Sequence, residues 1–117
     1  MTGDLLFVGI FTADLSTSVA WYEALFGRPA DVIVSKVEVM WQVCDRGWLY
    51  ILEDRAGPGR ALVSISVANL DASIREIVAR GIAAPAVETV PGAGRKAPFV
   101  DPEGNIVTLL ELSATSG

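Results

Sequence analysis

The chain contains no histidine. That absence removes the Ser-His-Asp and Cys-His nucleophilic systems and the commonest transition-metal ligand together. Among the residues left, those that a cleft could put to chemical use are the phenol of Tyr50, the carboxylates of Glu53 and Glu111, and the hydroxyls of Ser64, Ser66 and Thr108, while the single Cys44 cannot form an internal disulfide. Tyr50, or a glutamate facing a cleft, could serve as general acid or base in an isomerase or lyase reaction. Glu53 and Glu111 each close an apolar run, where acidic residues are usually solvated or paired at a rim rather than turned inward to a metal. Gly92-Ala93-Gly94-Arg95-Lys96 lacks the preceding strand and following helix of a phosphate loop, so it reads as a mobile loop over a cleft mouth.

The elements that would position these groups occur twice. Phe7-Val8-Gly9-Ile10-Phe11-Thr12-Ala13-Asp14-Leu15-Ser16-Thr17-Ser18-Val19 runs in register with Leu62-Val63-Ser64-Ile65-Ser66-Val67-Ala68-Asn69-Leu70-Asp71-Ala72-Ser73-Ile74. In the first copy an apolar strand over 5–11 leads to a helix start at which Asp14 or Ser16 could cap the free N–H groups. Val19, Tyr22 and Phe26 give the helix an apolar stripe, and Gly27 supplies its stop. In the second copy Asp71 is the candidate cap, Ile74, Ile77 and Val78 form the stripe, and Gly81 ends the helix. Strands are predicted over 30–34, 37–44 and 48–53 after the first helix, and over 84–90, 96–100 and 105–112 after the second. Ala56-Gly57-Pro58-Gly59 breaks both kinds of element. The expectation is a single domain, 1–117, of two βαβββ modules: module one over 1–55, a linker over 56–60, and module two over 61–117. Asp101-Pro102-Glu103-Gly104 suits the hairpin before the last strand.

Composition narrows the function. A chain of 117 residues, 51% hydrophobic and 20% charged, is large enough to bury about two thirds of its unfolded surface without a disulfide or metal. The net charge of −5, with nine scattered Lys and Arg, offers no footprint for a phosphate backbone, so nucleic acid is not an expected partner. No apolar stretch approaches a membrane span, and the short apolar run after Asp4 lacks the basic start of a signal peptide. The single cysteine agrees with a cytoplasmic setting.

Ala13-Asp14-Leu15-Ser16-x-Ser18-Val19-x-Trp21-Tyr22, a helix ending Leu25-Phe26-Gly27, and the closing run from Asp101 to Glu111 together resemble the vicinal oxygen chelate superfamily, the glyoxalase, bleomycin-resistance and extradiol-dioxygenase group. The resemblance implies an α+β fold in which two tandem βαβββ modules form curled mixed sheets around a cleft, commonly in a homodimer. It also implies where a metal would be held in the family's enzymes. Carried over by position, those ligands fall at Phe7, Leu62 and Thr108. Phe and Leu have no donor atom and a neutral Thr hydroxyl is a poor one, so no metal or other cofactor is expected.

Strand alternation then assigns the cleft wall. Phe7, Gly9 and Phe11 share one face of the first strand, with Val8 and Ile10 turned to the helices. By the same parity Leu62, Ser64 and Ser66 face the cleft, as do Ile106, Thr108 and Leu110, together with Trp48, Tyr50 and Leu52. Phe99 is placed with them as a ligand contact. Trp41, Trp48 and Tyr50 face either the cleft or a dimer interface, and Trp21 either core or interface. An apolar, aromatic-rich wall with a few hydroxyls suits a small organic ligand, aromatic or cationic. The leading expectation is therefore a metal-independent binding protein that sequesters a drug-like compound and confers antibiotic resistance. An acid–base enzyme and a non-catalytic assembly module are its rivals.

Overall fold

In a computed structural model, which describes residues 2–113, the unit of strand, helix and three strands occurs twice. β1 (Leu6–Thr12), α1 (Leu15–Phe26), β2 (Val32–Ser35), β3 (Glu38–Cys44) and β4 (Gly47–Glu53) form the first module. β5 (Leu62–Ser66), α2 (Leu70–Ala79), β6 (Glu88–Val90), β7 (Gly94–Val100) and β8 (Ile106–Leu112) form the second. Each module builds its own four-stranded sheet, in the orders β1-β4-β3-β2 and β5-β8-β7-β6. The first strand lies parallel to the last, and the remaining pairs are antiparallel. Thus the fold is α+β, as the duplicated pattern predicts.

Local chemistry sets both helix starts. Asp14 holds an extended backbone and its carboxylate accepts from the Thr17 N–H at 3.3 Å and from the Thr17 hydroxyl at 2.9 Å. Those bonds keep its pKa below the ordinary carboxylate value. In α2 the cap is Asn69, which accepts from Ala72 N–H at 3.0 Å. Asp71 lies inside the first turn and pairs with Arg95 instead, so the expectation that Asp71 caps is corrected. The physical reason is that a cap needs its side chain one position outside the helix, where Asn69 mirrors Asp14. Gly27 closes α1 in the left-handed region, at φ 76°, and its N–H returns to Glu23 O at 2.8 Å.

The inner sides of both sheets and the helices share one core, which includes Ile10, Tyr22, Leu25, Leu49, Ile51, Leu70, Ile77, Phe99, Val107 and Leu109. Trp41 is fully buried in it, with its ring 6.1 Å from Tyr22 and 5.5 Å from Phe26 and its indole N–H donating to Arg28 O. This resolves Trp41 as core. Val78 is exposed and drops out of the α2 stripe.

Polar ties fix one module on the other. The Tyr22 hydroxyl donates to the buried Asp101 carboxylate at 2.8 Å. Glu103 accepts from the Thr12 hydroxyl and Ala13 N–H, and the Arg80 guanidinium donates to the last carbonyls of α1 at Ala24 and Leu25. The Asp-Pro-Glu-Gly-Asn hairpin is pinned by Asp101, whose carboxylate accepts from the Glu103 and Asn105 N–H groups and from the Asn105 amide. The outer sides of the sheets stay uncovered. The radius of gyration, 14.6 Å, exceeds the roughly 13 Å of a compact chain of this length.

Candidate functional site

The outer face of the first sheet can be read row by row from its register. Phe7, Trp48 and Gln42 lie side by side, then Gly9, Tyr50, Met40 and Val32, then Phe11, Leu52 and Glu38. Their neighbours along each strand, such as Ile10, Leu49, Ile51, Val39 and Trp41, are buried on the helix side. The Phe7 and Trp48 rings stack with centroids 6.5 Å apart and planes 20° from parallel. The tip of the Tyr50 ring lies over Gly9, where an added methyl group would overlap it. A bare backbone at Gly9 lets the phenol approach β1 closely. Phe7 is 50% exposed and Phe11 39%. These rings form a platform open to solvent.

The outer face of the second sheet carries Leu62, Ile106 and Val100 in one row, Ser64, Thr108 and Pro98 in the next, then Ser66, Leu110 and Lys96. Leu62 is 73% exposed, while Thr108 is 7% exposed. The hydroxyls of Ser64, Ser66 and Thr108 have no hydrogen-bond partner among the described residues. Where this face meets the beginning of β1, the two modules enclose a cavity of about 220 Å³ lined in part by Leu6, Val8, Cys44, Trp48, Ser64 and Ser66.

Of the residues expected at the cleft, Phe7, Phe11, Trp48 and Tyr50 therefore lie together on one sheet, and Leu62, Ser64, Ser66, Thr108 and Leu110 on the other. Trp48, Ser64 and Ser66 meet around one cavity. Phe99 does not belong with them. It is 2% exposed and pairs with Val107 on the helix side, because odd-numbered positions of β7 point into the core. β3 supplies Glu38, Met40 and Gln42 to the platform, residues that were not singled out from the sequence. The alternation with Val39 and Trp41, read across from β4, is the signal that finds them. Glu53 and Glu111 are on the helix side, where they accept from the first helical N–H groups of Leu15 (3.1 Å) and Leu70 (2.7 Å). They neutralise helix N-termini rather than face the cleft. Residues 91–93 form the turn between β6 and β7, and Arg95 is engaged by Asp71 and Glu111.

No protein-family model and no curated protein sequence matches the chain. A solved glyoxalase / bleomycin resistance protein from Catenulispora acidiphila is 30% identical over 95% of this chain and all of its own length, with a TM-score of 0.88. The chain belongs to the vicinal oxygen chelate superfamily. Two further members of this fold mark its functional spread. A bleomycin-binding protein solved with bleomycin is 18% identical, with a TM-score of 0.75 over 97% of this chain and all of its own. A lactoylglutathione lyase from Agrobacterium tumefaciens is also 18% identical, with a TM-score of 0.72 over 92% of each chain.

Membership of the superfamily makes the metal question concrete. The positions to which the sequence resemblance carries the family's metal ligands are Phe7, Leu62 and Thr108. The first two carry hydrocarbon on an open sheet face, and the third offers a neutral hydroxyl. Among the described residues no three His, Cys, Asp or Glu side chains converge. At these three positions the side chains present do not supply a donor set that fits the family's metal.

Proposed function

We propose that this protein is a metal-independent binding protein that sequesters a small organic compound, aromatic or cationic, without transforming it. One observation carries the reading: the positions where metalloenzymes of the superfamily concentrate donor atoms hold a stacked aromatic platform on one sheet and unpartnered hydroxyls on the other. Aromatic faces contribute large burial at low entropic cost, and free hydroxyls fix orientation. The bleomycin-binding protein of the same fold supports a drug-sized ligand, and the Catenulispora acidiphila glyoxalase / bleomycin resistance protein supports a role in antibiotic resistance.

The 220 Å³ cavity is smaller than the roughly 300–1,000 Å³ of typical ligand sites. The open faces therefore need a cover, and a second copy of the chain is the cover we propose, giving a homodimer. No described helix is long and apolar enough to cross a membrane, and the free, exposed Cys44 accords with a cytoplasmic home.

The test is a thermal-shift and tryptophan-fluorescence screen with bleomycin and a panel of planar natural products. A ligand at 100 times its Kd raises stability by about 2.7 kcal/mol. Trp48→Ala and Ser64→Val should each weaken binding while leaving the fold intact, and the recovered compound should be unchanged. A compound returned in modified form would favour an acid–base enzyme using Tyr50. No shift across the panel, with both substitutions only lowering stability, would favour an assembly module.

A further inference from the structure

The duplicated modules place opposite charges at equivalent points of their outer faces. Glu38 lies opposite Leu52 on β4, and Lys96 lies opposite Leu110 on β8. The pairs Tyr50–Met40 and Thr108–Pro98 one row away make these positions counterparts. The second charge is neutralised in place, because Lys96 pairs with Glu88 at 3.4 Å. The first is not. The ion pairs among the described residues join Arg28 to Asp31, Arg95 to Asp71 and Glu111, and Lys96 to Glu88, leaving Glu38 without a partner.

Glu38 is half-buried and is the one carboxylate of β1, β3 and β4 whose strand parity puts it on the aromatic face. In the register Glu38 is diagonal to Tyr50, and diagonal neighbours on adjacent strands are roughly 7–8 Å apart, within reach of a long side chain, while Leu52 separates it from Phe11. An uncompensated carboxylate at the edge of a ring platform is complementary to a flat molecule that carries positive charge. The rings attract the cation through their negative faces, and the carboxylate attracts it directly. We infer that Glu38 is the specificity-determining residue of this site, selecting planar cations over neutral or anionic molecules of the same shape. This rests on the binding reading above and deepens it.

Two fluorescent probes of similar size test the assignment: proflavine, a planar cation, and anthracene carboxylate, a planar anion. The wild-type protein should prefer proflavine, and raising the ionic strength should erode that preference. Glu38→Gln should weaken proflavine binding about fivefold and leave anthracene carboxylate unchanged or tighter, with the melting temperature held. Glu38→Asp should retain the preference. Glu23→Gln, which removes the same charge from exposed α1 surface, should change neither probe. Equal affinity for the two probes, or a preference untouched by both Glu38→Gln and salt, overturns the role of Glu38 while leaving the binding protein intact. If bleomycin stabilises the protein and neither probe binds, the assignment also falls. If nothing in the panel binds, the binding reading falls with it.

Discussion

Tyr22→Phe removes a single oxygen from the centre of the molecule, and its consequences can be worked out from the buried hairpin. Tyr22 has no exposed surface and Asp101 is 4% exposed. The phenol supplies one of the four hydrogen bonds that the carboxylate accepts from Tyr22, Glu103 N–H, Asn105 N–H and the Asn105 amide. A hydrogen bond to a charged group contributes about 1.5–3 kcal/mol. The three surviving donors still satisfy Asp101, so a loss of about 2 kcal/mol is expected from urea denaturation at neutral pH. The pH dependence is a second signature. Burial first, and the adjacent Asp101 charge second, hold the Tyr22 phenol well above its ordinary value of 10.0. A group whose pKa is raised by folding contributes stability that is complete below the unfolded value and is lost as pH rises past it. Above pH 10 the wild type should therefore lose about 1.4 kcal/mol more per pH unit than Tyr22→Phe, narrowing the gap between them. A neutral-pH difference below about 0.5 kcal/mol, or parallel alkaline slopes, would refute this account of how the two modules are joined.

Three further outcomes are expected. Gly9→Ala should displace the half-exposed Tyr50 ring and weaken ligand binding, as read by fluorescence titration, while melting curves show a stability change within about 1 kcal/mol because the ring tip can move aside. EDTA should leave the melting temperature unchanged and elemental analysis should find no stoichiometric Zn²⁺, Ni²⁺, Fe²⁺ or Mn²⁺, whereas a melting point that falls with EDTA would undo the argument from Phe7, Leu62 and Thr108. Light scattering at micromolar concentration should report a homodimer, and a monomer would leave the open faces without their proposed cover.

The duplicated strand–helix junctions and the inward and outward sides of β1, β4, β5 and β8 were legible because a period of two is unambiguous when alternate positions are hydrocarbon. β7 was harder. Its run Lys96–Val100 contains Pro98 and no clear alternation, so Phe99 passes for a wall residue until the hairpin at Asp101 to Asn105 is used to set it opposite Val107. The cap of α2 was readable from the repeat, since Asn69 aligns with Asp14, but the acidic Asp71 was the more conspicuous residue. That Glu53 and Glu111 serve helix N-termini depends on side chains turning under the sheet across a long loop in sequence. No local spacing encodes that contact.

What a curled sheet does best is bring side chains of non-adjacent strands to one place, and the chemistry follows from which side chains those are. Donor atoms at such a focus hold a cation by coordination. Rings at the same focus cannot, yet their faces still carry partial negative charge, and excluding water from them strengthens any full charge nearby. On the binding reading proposed above, Phe7 stacked on Trp48 and Tyr50 over Gly9 replace a point of coordination with an area of contact. The unpaired carboxylate of Glu38 at its edge keeps the preference for positive charge. On this argument the asymmetry between the modules is functional: the aromatic sheet supplies affinity and charge selection, while Ser64, Ser66 and Thr108 on the other sheet supply orientation. Replacing Ser64 should therefore weaken a ligand that hydrogen-bonds there, and should weaken a planar cation that lacks such a group less than replacing Trp48 does.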